Sequence, residues 1–143
     1  MRVGLYSERG RRHVVRAREL IATQGFEATP AGIRAARAAI RARATDEIFA
    51  RFLKSEDFYS MSGCRDLLFH VQEHRFALPQ IKAMLERLGL SVVEFEFPDS
   101  GETLARYRAR FPHDPGALDL DNWHRLEQEF PDTFARMYQF WVS

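Results

Sequence analysis

Two short β-type segments in an otherwise helical chain place the strongest constraint on the fold. Residues 2–7 (RVGLYS) are apolar with little turn chemistry, and residues 90–97 (LSVVEFEF) hold β-branched and aromatic residues between a glycine and a Pro-Asp pair. Both patterns are typical of strands. A strand must pair its backbone N–H and C=O groups with neighbouring strands. The chain therefore needs a neighbour for each of these segments.

The end of the sequence offers one such neighbour. Residues 132–143 (DTFARMYQFWVS) fit a helix through Phe134, Met137, Tyr138 and Trp141, whereas the run YQFWV also fits a buried strand. Periodicity alone does not decide short apolar runs. A helix and a strand are both open at this point.

Most of the remaining sequence predicts helices, which makes the fold class α/β and helix-rich. The predicted helices cover residues 8–24, a segment that begins after the N-cap Thr29 with Pro30 in its first position, a segment from Asp46, and residues 78–89, 103–110 and 121–130. Residues 55–63 break the periodicity and predict a loop. Arg34, Arg37 and Arg41 recur at helical spacing, which indicates a solvated face.

The apolar stripes of these helices predict their buried residues. In the segment from Asp46 these are Ile48, Phe49, Phe52 and Leu53, in residues 78–89 they are Leu78, Ile81, Met84, Leu85 and Leu88, and in residues 121–130 they are Trp123, Leu126 and Phe130. Gly25 and Gly89 are expected to end their helices.

Composition bounds the class of protein. The chain has 143 residues and a net charge of +1, so it suits one domain and gives no electrostatic case for a nucleic-acid or membrane partner. No apolar run approaches the roughly 20 residues that span a bilayer, and the N-terminus lacks a signal-peptide pattern.

The single cysteine, Cys64, excludes an internal disulfide and fits a cytoplasmic location. A buried, idle thiol is favoured over a nucleophile, because no third group would orient a Cys–His pair.

The stretch GCRDLLFHVQEHRFALPQI, residues 63–81, concentrates ionisable side chains. Its His70, Glu73 and His74 match H-x-x-E-H, the inverted zinc-protease motif. Two histidines four apart on one helix share a face and can bind zinc, with Glu73 polarising a water molecule. This is one hypothesis for the stretch.

Two features weaken that zinc-hydrolase hypothesis. A third protein ligand is required, and only Glu127 and Glu129 remain beyond Glu102. The approaching Pro79 also predicts that a helix ends near the histidines, which would disturb their pairing. The alternative is that both histidines are hydrogen-bonded loop residues.

Three phrases follow one another in this part of the sequence, residues 74–81 (HRFALPQI), 88–90 (LGL) and 92–95 (VVEF). Together they resemble the C-terminal half of class I S-adenosylmethionine-dependent methyltransferases. A closer likeness is to bacterial methyltransferase-domain proteins, some of them fused to tetratricopeptide repeats, through residues 4–8 (GLYSE), 57–74 (DFYSMSGCRDLLFHVQEH) and 132–141 (DTFARMYQFW). The resemblance covers nearly the whole chain.

The resemblance implies a partial Rossmann-like methyltransferase. Residues 1–7 would be the fifth strand of the family, 8–77 a helical insertion on the substrate side, 78–97 the last sheet-covering helix and sixth strand, and 98–143 a helical tail with a possible last strand. In this arrangement YQFWV is the seventh strand, inserted antiparallel between the fifth and the sixth. That placement would supply neighbours for both β-type segments.

The chain departs from the family in its cofactor half. No G-x-G-x-G occurs, so the loop that holds S-adenosylmethionine in the family is missing. The family implies that cofactor, but we expect no binding by this chain alone. We expect residues 1–143 to act as a single domain or fragment that pairs with a missing N-terminal methyltransferase half or with itself, because a bare sheet edge is prone to association.

The resemblance assigns the ionisable stretch to the methyl acceptor, whose identity it leaves unknown. His70, His74 and Glu73 are the candidates for removing the acceptor's proton. Tyr59, Arg65 and Asp66 are the candidates for substrate binding. The alternatives are a non-catalytic helical module that binds a protein partner and the zinc hydrolase.

Overall fold

The computed structural model of the protein describes residues 1–70, 72–99 and 101–143. The chain divides into two compact units. One, called here the sheet unit, combines Met1–Arg11 with His74–Ser143, and the other, called the helical unit, is Arg12–Glu73. The helical unit lies within the insertion predicted at residues 8–77.

Along the described residues, helices α1 to α5 follow strand β1, α6 lies between β2 and β3, and α7 and α8 lie between β3 and β4. The helices are α1 Arg12–Gln24, α2 Pro30–Arg41, α3 Glu47–Ala50, α4 Glu56–Tyr59, α5 Met61–Phe69, α6 Leu78–Leu88, α7 Glu102–Arg110 and α8 Leu120–Glu129, with a 3-10 turn at Arg51–Lys54. The strands are β1 Arg2–Ser7, β2 Arg75–Phe76, β3 Val92–Phe95 and β4 Met137–Val142.

The four strands form one mixed sheet in the order β2-β1-β4-β3. Strand β1 is parallel to β2, and β4 is antiparallel to both β1 and β3. The end of the chain is therefore a strand, and its predicted antiparallel position between the two β-type segments is confirmed. The helical alternative for residues 132–143 is wrong, because β1 and β3 both take their backbone partners from this segment.

The register of β1 and β4 separates two faces of the sheet. Val3 lies opposite Phe140 and Leu5 lies opposite Tyr138, and these pairs contribute to the hydrophobic core. Since side chains alternate along a strand, the neighbouring pair of Arg2 and Trp141 lies on the other face.

Trp123 of α8 lies at the centre of the sheet unit's core. Its ring is fully buried, 4.1 Å from the Tyr107 ring centroid and 5.4 Å from that of Phe95. Its indole N–H donates to the carbonyl of Ala117 at 2.7 Å. The hydrogen bond satisfies the polar edge of a large apolar ring, as buried tryptophans require.

The helical unit has its own core. Its buried members repeat at helical spacing and are Val14, Ala17 and Ile21 of α1, Ile33, Ala36 and Ile40 of α2, and Phe49, Phe52, Phe58, Cys64 and Leu68 of the following short helices. Thr29 caps α2 by accepting the N–H of Gly32, and Pro30 is the first helical residue, as predicted. Gly89 ends α6 in the left-handed conformation, also as predicted.

Two predicted boundaries are wrong. Helix α1 begins at Arg12 rather than at residue 8, because Gly10 donates to the Ser7 hydroxyl and Arg11 to the Ser7 carbonyl, which forms a turn after β1. The predicted loop at residues 55–63 contains α4 and the start of α5. Ser60 caps α5 by accepting the N–H of Gly63 at 2.9 Å, and helices this short leave little periodicity in the sequence.

Three residues predicted to be buried are exposed. Leu88 and Phe130 lie at the ends of α6 and α8, where the helix no longer presents them to the core. Leu53 lies in the 3-10 turn, whose shorter period rotates it away from the face that holds Phe49 and Phe52.

Within the part of the chain that the structure describes, no helix is long and apolar enough to cross a membrane.

Replacement of Gly10 by alanine tests the turn after β1. An added Cβ would lie 2.3 Å from the Phe134 carbonyl oxygen and 3.0 Å from the Ala135 carbonyl carbon, so backbone must move. We expect Gly10→Ala to lower the free energy of unfolding by about 1–3 kcal/mol, measured by urea unfolding.

Gly116→Ala is the matched control, because its Cβ would meet only the Leu118 side chain at 3.4 Å and beyond and the Asp114 carboxylate at 3.9 Å. Equal stability of the two variants would contradict the close approach of the chain at Gly10.

Candidate functional site

A buried polar cluster lies where β1 ends. Ser7 is the last residue of β1 and is fully buried. Its hydroxyl donates to Oε1 of Glu127 at 2.9 Å and accepts the N–H of Gly10 at 3.0 Å. One side chain therefore joins the end of the strand, the turn that follows it and helix α8.

Tyr138 completes this cluster from β4. Its hydroxyl lies 3.0 Å from Oε1 and 2.9 Å from Oε2 of Glu127, and it donates to the carboxylate. Glu127 is only 1% exposed and Tyr138 is fully buried. We name Ser7, Glu127 and Tyr138 the buried acid cluster.

The protonation of this cluster is set mainly by burial. Burial raises the pKa of Glu127, and the hydrogen bonds from Ser7 and Tyr138, together with the positive charge of Arg9, oppose that rise. Burial also raises the pKa of the Tyr138 phenol, so Tyr138 stays a hydrogen-bond donor. A carboxyl so enclosed joins β1, β4 and α8 and is shielded from solvent.

Sequence reasoning did not identify this cluster, and considered Glu127 only as a possible zinc ligand. The signal is nevertheless present. Glu127 follows Leu126 and lies four residues after Trp123, so a carboxylate occupies the apolar face of α8. An acid in a core position needs hydrogen-bond donors, and Tyr138 supplies one from the strand that sequence periodicity left ambiguous.

The predicted substrate-binding residues lie on the helical unit. Tyr59, Arg65 and Asp66 are exposed. The Tyr59 hydroxyl donates to the Leu53 carbonyl at 2.9 Å, and Arg65 donates to the Ala28 carbonyl at 3.1 Å. No hydrogen bond or ion pair among the described residues joins these three side chains to each other.

The predicted proton acceptors are divided between the two units. His70 lies directly after α5, is exposed, and its Nδ1 accepts the N–H of Gln72 at 3.3 Å. His74 is exposed in the sheet unit, just before β2.

Glu73 makes an ion pair with Arg18 at 3.1 Å, and its side chain is 5% exposed. The same guanidinium donates to the Leu67 carbonyl at 2.9 Å. This pair joins the end of the helical unit to α1, so it gives Glu73 a structural role.

The helix that the zinc motif requires is absent. Helix α5 ends at Phe69, His70 has an extended backbone, and residues 72–74 are non-helical. The hypothesis that a helix spaces His70 and His74 by one turn is therefore wrong, because α5 ends before His70. Among the described ranges 1–70, 72–99 and 101–143, no group of three His, Cys, Asp or Glu residues is placed to hold a metal ion.

Cys64 lies fully buried in the helical unit, and burial raises the pKa of its thiol. Since the thiolate is the reactive form, this supports the interpretation as an idle core residue.

One shallow pocket of about 210 Å³ lies along β3, α7 and the loop before α8. Glu94 and Arg108 are its charged lining residues, and Gly116 and Ala117 form part of its wall. Arg108 donates to the Pro115 carbonyl at 3.2 Å, which ties it to that loop. None of the predicted site residues lines it.

No family model matches the chain, and no curated protein matches it.

Replacement of Glu127 by glutamine tests the buried acid cluster. Between the pKa of the carboxyl in the unfolded chain and its raised pKa in the folded protein, the folded state holds more protons than the unfolded state. The free energy of unfolding contributed by this group therefore falls as pH rises through that window, by at most about 1.4 kcal/mol per pH unit. We expect the unfolding free energy of the original protein minus that of Glu127→Gln to fall from pH 4.5 upwards, measured by urea unfolding.

Glu129→Gln is the matched control, because Glu129 lies on the surface of the same helix and pairs with Arg110 at 3.0 Å. A difference for Glu127→Gln that is flat or rises with pH would show that the carboxyl is not destabilised by its burial.

Proposed function

We propose that this chain is the C-terminal, substrate-side portion of a class I S-adenosylmethionine-dependent methyltransferase, inactive alone. The observation that carries the proposal is the strand order. Strands β1 and β3 run in the same direction, and β4 lies antiparallel between them. This is the relation of the fifth, sixth and seventh strands that the resemblance implies.

The other edge of the sheet supports the same assignment. Strand β2 is parallel to β1 and pairs only with Tyr6 and Ser7. In the arrangement that the resemblance implies, the seventh strand lies on one side of the fifth strand. The strands of the cofactor half then lie on the other side, which is the side of β1 that β2 contacts. The rest of that edge is where we place the missing strands.

Backbone direction supplies the groups for such pairing. The N–H of Glu8 donates to the Phe76 carbonyl at 2.9 Å, toward β2. The N–H groups of successive residues in a strand point to opposite edges. Those of Gly4 and Arg2, four and six residues before Glu8, therefore point toward the same edge as the N–H of Glu8. Among the described residues, no strand pairs with them there.

The residues that the resemblance assigns to the substrate lie on the helical unit and at the position just after it. The exposed Tyr59, Arg65 and Asp66 would contact the methyl acceptor. His70 and His74 remain the candidates for removing its proton. The missing glycine-rich loop would come from the partner half together with S-adenosylmethionine.

Calorimetric titration with S-adenosylmethionine, repeated with S-adenosylhomocysteine, tests the proposal. We expect no saturable binding by the purified chain, because it has no glycine-rich loop. After affinity capture from its native cells, we expect a co-purifying polypeptide with G-x-G-x-G and a complex that binds both compounds.

Two variants at Gly4 test the pairing edge. Gly4→Pro removes an N–H that points away from β4, so we expect at least about tenfold weaker capture of the partner half. Gly4→Ala keeps that N–H, and its Cβ would meet only the flexible end of Met137 at 3.2 Å, so capture should persist. Circular dichroism establishes that both variants are folded.

Saturable binding by the chain alone would overturn the idea of a missing cofactor half. A captured complex that binds neither compound would overturn the methyltransferase assignment itself.

A further inference from the structure

The exposed large apolar side chains of the helical unit are close together in the sequence. Among its described residues they are Leu53, Tyr59 and Met61, which are 37%, 48% and 36% exposed. They lie within nine consecutive positions, from the 3-10 turn to the start of α5. Clustered exposed apolar groups mark interaction surfaces more often than scattered ones do.

Tyr59 is held in place at the centre of this cluster. Its hydroxyl donates to the Leu53 carbonyl at 2.9 Å. Its ring packs edge-on against the fully buried Phe58, with centroids 5.4 Å apart. An exposed aromatic side chain that is already ordered loses little conformational entropy when a partner covers it.

Arginines of α2 border the same tyrosine. Arg37 donates to the Tyr59 carbonyl at 2.8 Å, and the Arg41 guanidinium lies 5.5 Å from the Tyr59 ring centroid. Arg34 lies one turn before Arg37, on a helix that contains no acid. No carboxylate of the described residues makes an ion pair with any of these three arginines.

We propose that this surface, formed by Leu53, Tyr59, Met61 and Arg34, Arg37 and Arg41, binds an acidic segment of a partner polypeptide that carries a large apolar side chain. The three guanidinium groups give this surface positive charge that no described carboxylate neutralises, and a guanidinium over a ring keeps its in-plane N–H groups for a carboxylate. The exposed Leu53, Tyr59 and Met61 offer apolar contact area for a side chain of the partner next to its carboxylates.

The same observations favour a polypeptide over RNA. Single-stranded RNA binds to stacking platforms, which need an open aromatic face. Arg41 lies over the Tyr59 ring, and the Tyr59 hydroxyl is bonded to Leu53. The inference does not rest on the proposed methyltransferase function.

Fluorescence anisotropy of the full chain tests this surface. The probe is a short labelled peptide in which glutamates flank one tryptophan and one leucine, measured at about 50 mM salt to limit screening. We expect saturable binding with a Kd on the order of tens of micromolar. A peptide with glutamine in place of glutamate should bind at least about tenfold more weakly.

Variants then locate the binding. We expect Arg41→Gln and Tyr59→Ala each to weaken the complex by about tenfold, with the loss for Arg41→Gln shrinking as salt is raised. Arg16→Gln is the matched control, since it removes one exposed charge of the same unit, which pairs with Glu19 at 3.4 Å.

Three results would overturn the proposal. They are absence of binding by the folded chain, equal effects of Arg41→Gln and Arg16→Gln, and displacement of the peptide by polyuridine RNA at lower concentration than by unlabelled peptide.

Discussion

The backbone pairing of β4 is the interaction on which the sheet unit depends. It supplies hydrogen-bond partners to β1 on one side and to β3 on the other, and neither strand pairs with the other directly. The side chains of the same strand complete the core, since Tyr138, Phe140 and Val142 are all buried. If β4 is removed, β1 and β3 lose their shared backbone partner, and the buried acid cluster loses one of its two hydroxyl donors.

Burial of Glu127 extends this dependence from the sheet to α8. A buried carboxyl is costly unless donors satisfy it, and here the two donors come from the two paired strands. The same helix presents Trp123 to the aromatic core, so one face of α8 makes both the apolar and the polar contacts. The cluster thus favours one position of α8 on the sheet over others of similar apolar burial.

Sequence patterns predicted the elements whose signals are local. Thr29 with Pro30 identified the start of α2, and Gly89 identified the end of α6, because capping depends on a few adjacent residues. The position of β4 was predicted through a family resemblance and the need of residues 2–7 for partners, since the run YQFWV was ambiguous by itself.

The sequence did not predict α4, which is too short to show periodicity. It also did not predict the contacts among Ser7, Glu127 and Tyr138, because these depend on pairings between segments far apart in the chain. The predicted substrate-binding residues are exposed, as a binding site requires. No local pattern could show that Glu73 forms an ion pair with Arg18, which is 55 residues earlier in the chain.

The central position of β4 also has a consequence for folding. The N-terminal amine of the chain donates to the carbonyl of Val142 across a separation of 141 residues. Contacts this distant in sequence form slowly, because the intervening loop must close first. Strand β1 therefore cannot complete its pairing with β4 until residues 137–142 reach it. The core residues of the helical unit lie between Val14 and Leu68, so that unit can fold without this closure, and the long-range pairing limits the sheet unit alone.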